Sequence, residues 1–361
     1  MYWRNEFNDC RDDAAGRDAR SGFGAGRLDL PPDARSLWQP RPAFGQRFMV
    51  FVDTAEPFDR RRPVRRPGHA TAVLQYLAEG QKRMAAHGVC PVYLVDYPVA
   101  ESAHGPDLIG PWLDAGQAHI GAQLHPWSNP PFREEFNEHN SFLRNLSVSL
   151  ERMKLRMLTG RIDANFGVRP VCFRAGRGGI GPASAMLLNE AGYRIDASVR
   201  PYFSQRWAGG PNFFDHPARP YWAGPKGQLL EIPASATIVG RWQHYALPWY
   251  RGAARLPLLR RLLARCGLAE RVALTPESTD INKALEAVRI LYGEGLPLFN
   301  LSYQALSLNP GHLPYVRDAT DLRHFHRWWG SMFGLLAALG VRPIGQDELL
   351  AFIDARDQDL R

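Results

Sequence analysis

The chain is poor in cysteine, and it has no long apolar run. Its four cysteines, Cys10, Cys90, Cys172 and Cys266, are widely separated with no C-x-x-C pair. That spacing excludes a zinc knuckle or a dithiol redox pair and leaves free thiols. No unbroken apolar stretch approaches the ~18 residues of a membrane-spanning helix. The N-terminal run MYWRNEFNDCRDDAAGRDAR also lacks the apolar segment of a secretory signal. The expectation is a soluble, cytoplasmic protein without a transmembrane segment. No G-x-G-x-x-G follows the first predicted strand, which argues against a dinucleotide-binding sheet. There is no internal repeat and no clean linker. Acidic residues are outnumbered, 36 against 44 basic, for a formal net charge of +8. The excess favours acidic partners, but no nucleic-acid reading motif accompanies it, so nucleic acid is not an expected partner.

What is present suits a large enzyme-sized core. With 361 residues, 45% of them apolar, and roughly 150 residues per domain, one large domain or two ordinary ones would fit. Residues 1–45 are rich in Arg, Asp, Gly and Pro without periodicity and read as an irregular, loosely draped arm. Residues 46–348 read as one domain, and 349–361 as a C-terminal tail.

Hydrophobic patterning within 46–348 alternates strands and helices. Strands are expected at Arg47–Val52, Pro91–Val95, His119–Leu124, Val171–Arg174, Arg194–Val199, Leu229–Pro233 and Pro297–Tyr303. Helices are expected at Ala70–His87, Asp107–Ala115, Ser141–Phe166, Pro182–Ala191, Leu256–Cys266, Ser278–Tyr292 and Leu322–Leu339. Crossovers of this length mean a mainly parallel sheet covered by helices. About seven strands fit an incomplete α/β barrel better than an open sheet. The Pro-, Gly- and aromatic-rich stretch from Tyr202 to Trp249 reads as loops decorating one face, where specificity usually sits.

Parallel barrels carry their chemistry at the C-terminal ends of strands. The polar residues there are Asp53 and Glu56, His125, Arg174, Asp196, and Tyr303 with Gln304. Asp, Glu and His at separate strand ends are donors that Zn²⁺, Co²⁺ or Mn²⁺ accepts, and an Arg beside an Asp orients a general base. Any α/β enzyme has such a ring. Bland readings stand beside it: His125 as a core histidine beneath Trp127, Glu56 as a solvated loop carboxylate, Arg174 and Arg177 as caps. The cluster Arg60-Arg61-Arg62 with Arg65-Arg66 reads first as a solvated face and second as a contact for an anionic glycan. The basic amphipathic helix Leu256–Cys266 reads first as core packing and second as a peripheral membrane contact.

The runs PVYLVDYPVA (Pro91–Ala100), IGAQLHPWSNPPF (Ile120–Phe132), FRAGRGGIGP (Phe173–Pro182) and IDASV (Ile195–Val199) resemble the WalW-like branch of the polysaccharide deacetylases. RVALTPE (Arg271–Glu277) and SLNPGHLPYVRDATDL (Ser307–Leu322) are similar to it too. The resemblance implies the NodB-homology superfamily: a distorted (β/α)₇ barrel, a divalent metal, and removal of N-acetyl groups from amino sugars of an envelope glycan. It implies Asp53 as catalytic base, Arg174 as the arginine bracing it, and His125 with Glu56 as metal ligands. Asp196 falls where a partner behind Arg174 would be useful. Gln123, Trp127, Arg177, Tyr303 and Gln304 would meet substrate, with Trp222 as a further aromatic wall.

The chain also departs from that pattern. Position 55 is Ala, which leaves Glu56 one step beyond the usual acidic ligand. Gln123 and His125 stand where two histidines four apart are usual, and Gln304 where a histidine protonates the leaving amine. A glutamine donates a hydrogen bond but delivers no proton. Either the branch has its own site, with Glu56, His125 and His139 as ligands, or the barrel is a catalytically degenerate glycan-binding or polysaccharide-assembly protein.

Overall fold

Strand β1 (Arg47–Asp53) shows the period-2 rule on which the fold is built. Phe48, Val50 and Val52 belong to one hydrophobic cluster, and Met49 and Phe51 to another. The first cluster lies between sheet and helices; the second fills the space the sheet curls around. The structure, a computed structural model, describes residues 26–55, 74, 76–241, 257–277 and 279–359. After β1 come α1 (Leu77–Ala85), β2 (Val92–Val95), α2 (Tyr97–Glu101), α3 (His104–Asp114), β3 (His119–Leu124), α4 (Val148–Phe166), β4 (Cys172–Ala175), α5 (Ser184–Glu190) and β5 (Ile195–Asp196). Then follow β6 (Tyr221–Ala223), β7 (Leu229–Glu231), β8 (Ala236–Val239), α6 (Pro257–Arg265), β9 (Glu270–Ala273), α7 (Ile281–Gly293), β10 (Leu298–Gln304), α8 (Ala319–Ala338), β11 (Arg342–Pro343) and α9 (Gln346–Asp359).

The main sheet has the order β10-β1-β2-β3-β4-β5-β7-β6, with β11 also paired to β1. From β10 to β7 every pairing is parallel, and only the edge strand β6 runs antiparallel. Pairing of the late strand β10 with β1 curls the sheet into an incomplete barrel, the α/β class the patterning predicts. The seam between β7 and β10 is stitched by Asn300. Its Nδ2 donates to Ile232 O at 2.7 Å, its N–H to Ser235 Oγ at 2.8 Å, and its carbonyl accepts from the Ser235 N–H. A separate antiparallel pair, β8 with β9, was not evident from patterning and follows this seam.

Helix α4 begins at Val148, not Ser141. Ser147 Oγ caps it by accepting the Leu150 N–H, and Phe142 and Leu146 before it are extended. Gly167, left-handed at φ 66°, ends it. Residues 26–45 are irregular, with two 3₁₀ turns, and bury Leu28, Trp38 and Phe44. Phe44 meets Phe352 of α9 edge-on at 5.0 Å, and Leu349 and Ile353 join the inner cluster. Side chains of the N-terminal arm and of α9 thus plug the N-terminal end of the barrel. Burying each such large apolar side chain contributes about 1.5–3 kcal/mol. Among the described residues no helix is long and apolar enough to cross a membrane. In the described part of the basic helix, α6, Leu259 and Leu262 are exposed.

Candidate active site

Alternation along the strands decides which side chains enter the barrel mouth. Counting on from Met49 and Phe51, Asp53 points inward at the end of β1; counting on from Leu298 and Asn300, so does Gln304 at the end of β10. These two are direct neighbours across the strand pair. Gln123 and Arg174 are likewise neighbours on β3 and β4. His125 lies one residue beyond β3.

Arg174 ties the ring together. Its Nη1 donates to Asp53 Oδ1 at 2.7 Å, its Nε to Ala197 O at 2.9 Å, and its Nη2 to Asn300 Oδ1 at 3.4 Å. The guanidinium lies 5.0 Å above the Phe51 ring. A planar fork with fixed donor directions, used on three sides, leaves the Asp53 carboxylate one orientation. Both side chains are largely enclosed, at 10% and 23% exposure.

His125 is buried and stacks on Trp127 with ring centroids 4.4 Å apart. It also presses on Gly176: a Cβ there would lie 2.0 Å from His125 Cδ2. Burial, with the nearby charge of Arg177, pushes the imidazole down to about 3, so the ring is neutral. Among the described residues its Nδ1 is buried and unbonded, as are Gln123 Oε1 and Gln304 Oε1. Native structures pair nearly all such groups, so three unpaired atoms at one barrel mouth mark a place for a ligand's polar groups.

The loop that carries His125 and Trp127 is anchored from beneath by Lys154 of α4. Its fully buried ammonium donates to Pro126 O at 2.9 Å and Asn129 O at 2.5 Å, and pairs with Glu134 at 2.8 Å. Asn129 Nδ2 donates back to Lys154 O at 2.9 Å. On the far side of the ring, buried Glu277 accepts the Gln304 N–H at 2.7 Å and the Ser307 hydroxyl at 2.8 Å, and also bonds Thr275. Burial raises its carboxyl.

Several expected residues have other work. Tyr303 points outward, between Phe325 and Trp329 of α8, because the alternation that turns Gln304 inward turns its neighbour out. It therefore does not line the mouth. Trp222 is part of the inner apolar cluster. Arg177, at a left-handed φ of 59°, is spent on Glu138 and Ser141 and lies 4.0 Å over Phe142. Asp196 makes no hydrogen bond to Arg174. It sits behind the sheet beside Glu231, its register partner. It accepts from Ser198 Oγ, which accepts the Ala175 N–H, and so it fixes the backbone after Arg174. Burial pushes the Glu231 carboxyl well up, so Glu231 holds the proton between the two acids. His139 packs against Gly209. Glu56 and the Arg60–Arg66 cluster lie outside the described residues.

Sequence patterning missed Gly176, Lys154 and Asn300. Only Asn300 left a signal, the polar alternation of LFNLSYQ in β10. Lys154 reads as one more surface lysine of a helix.

No protein-family model matches the chain, and no curated protein does. Solved structures that match include a candidate polysaccharide deacetylase from Mycobacterium smegmatis, at 16% identity, covering 88% of this chain and 97% of that one with a TM-score of 0.46. The peptidoglycan deacetylase PdaC from Bacillus subtilis matches at 11% identity over 88% and 96%, with a TM-score of 0.39. An allantoinase matches at 14% identity over 85% and 92%, with a TM-score of 0.49.

Proposed function

We propose that the chain hydrolyses the amide of N-acyl amino sugars, as a polysaccharide N-deacetylase of the NodB-homology superfamily and its WalW-like branch, acting on an envelope glycan. The observation that carries this reading is the 2.7 Å Arg174–Asp53 ion pair, ringed by the unbonded atoms of Gln123, His125 and Gln304.

The described residues fit a divalent metal incompletely. A catalytic zinc-type ion takes three protein ligands. Of the ligands expected, His125 stands at the mouth and His139 packs against Gly209 instead, and among the described residues no group of three His, Cys, Asp or Glu could hold an ion. Glu56 is the third expected ligand. No step below runs through a metal.

In the proposed reaction Asp53 takes a proton from the attacking water while Arg174 holds the carboxylate in line. The amide oxygens of Gln123 and Gln304, unbonded among the described residues, accept from the N–H of the N-acyl group and orient it, an advantage realised as proximity. The tetrahedral adduct expels the amine, the C–N bond breaks, and acetate leaves. Since Gln304 supplies no proton, the one held by Asp53 passes to the departing nitrogen.

The test is acetate release from N-acetylated glucosamine oligomers, with and without added Zn²⁺, Co²⁺ or Mn²⁺, and its loss in Asp53→Asn. Tight oligomer binding without acetate would favour the degenerate glycan-binding reading, which Gln304 supports.

A further inference from the structure

The FRAGRGG turn touches each part of the mouth. Arg174 holds Asp53, Gly176 receives His125, and Gly178, at φ 67°, is where the stem of Arg200 rests: a Cβ there would lie 3.4 Å from Arg200 Cδ. Arg200 follows β5 and stacks 4.7 Å over Phe203. Arg271 of β9 approaches the same ring at 5.4 Å and donates its Nε to Pro201 O at 2.7 Å. Asp53, Arg174 and Tyr315 are among the charged or polar groups that act on Arg200 electrostatically. Tyr315 itself is half exposed on the segment after β10.

The arginines here are not equivalent. Arg174 is committed to Asp53, Arg177 to Glu138, and Arg271 to a backbone carbonyl. Among the described residues Arg200 makes no hydrogen bond or ion pair; its side chain keeps an exposed surface, while the protein packed around the guanidinium desolvates it and lowers its pKa. Its stem rests at Gly178 and its guanidinium on the Phe203 ring, within electrostatic reach of the proposed catalytic base, and no described residue takes its donors. A fork so presented matches an oxyanion.

Resting on the deacylase reading, we propose that Arg200 is a specificity-determining residue that receives an oxyanion, carboxylate or phosphate, borne by the N-acyl substrate. A neutral sugar would leave this cation unmatched.

Three sugars test the proposal by calorimetry: N-acetylglucosamine, its lactyl ether N-acetylmuramic acid, and its 6-phosphate. An ion-assisted hydrogen bond predicts about 10- to 100-fold tighter binding of an acidic sugar. Preference for the lactyl ether or for the phosphate names which oxyanion is meant. Arg200→Gln brings the acidic sugars to the affinity of the neutral one, and Arg200→Lys retains part of the preference. Equal affinity for all three in the wild type overturns the proposal without reliance on any variant. So does a preference that survives in an Arg200→Gln protein with an unchanged thermal midpoint. Acetate released equally from all three sinks this inference and spares the deacetylase. An Arg200-dependent preference with no acetate from any sugar does the reverse.

Discussion

Lys154 and Glu134 form an ion pair of 2.8 Å at 0% and 7% exposure, directly beneath the loop that presents His125 and Trp127. The pair encloses two charges together with the carbonyls of Pro126 and Asn129. Removing one partner leaves the other charge buried and alone. Lys154→Met should therefore cost about 3–5 kcal/mol, read as a lower urea midpoint. The double variant Lys154→Met with Glu134→Gln should recover part of the loss. A single variant as stable as the wild type would show that the pair anchors nothing.

Gly176 is needed for contact rather than for freedom of backbone. A methyl group there would occupy the space of His125 Cδ2, so Gly176→Ala must displace the imidazole and the Trp127 ring stacked on it. The overpacking should cost about 1–3 kcal/mol. Displacement by an ångström costs about 10²-fold in rate. Near-ultraviolet circular dichroism of the Trp127 environment and acetate release read the two effects. An unchanged spectrum with full activity would mean that His125 gives way freely.

The alternation of apolar strands with crossover helices was enough to read the barrel, because parallel strands buried on both faces announce themselves as apolar runs. The pairing of Asp53 with Arg174 was legible only through the likeness of FRAGRGG, since no local pattern tells which strand end an arginine reaches. Tyr303 was misplaced for a simple reason. Position at a strand end does not tell which way a side chain faces; strand parity does, and it puts Asn300 and Gln304 inside and Tyr303 outside. The β8–β9 pair escaped because strands of four residues joined through a long insertion carry no periodic signal.

Arg174 uses three separate nitrogens, on Asp53, Ala197 and Asn300. A lysine keeps the charge but has one nitrogen to serve them. Arg174→Lys should lose about 1.5–3 kcal/mol of stability. Acetate release should fall about 10²-fold as Asp53 loses its fixed direction. Wild-type rates in this variant would reduce Arg174 to a source of charge and remove orientation from the argument.

Glu151 of α4 makes stability depend on pH through a single hydrogen-bonded chain. Ser184 Oγ donates to Glu151 Oε1 at 2.5 Å and accepts the Gly181 N–H at 2.8 Å. Burial, opposed by the Ser184 hydrogen bond, lifts the carboxyl from 4.5 to about 7. Between those values the folded chain keeps a proton that the unfolded chain has released. Stability therefore falls as pH rises through that window and is flat above it, by about 3 kcal/mol at 1.36 kcal/mol per unit. Glu151→Gln keeps an acceptor for Ser184 and has nothing to ionise. Its urea midpoint should exceed that of the wild type at pH 8 and approach it at pH 5. The difference between the two proteins isolates this group from other buried acids such as Asp196, Glu231 and Glu277, which are the same in both. Parallel pH curves would mean that Glu151 ionises as readily inside the fold as outside it, and the chain through Ser184 would then be ordinary packing.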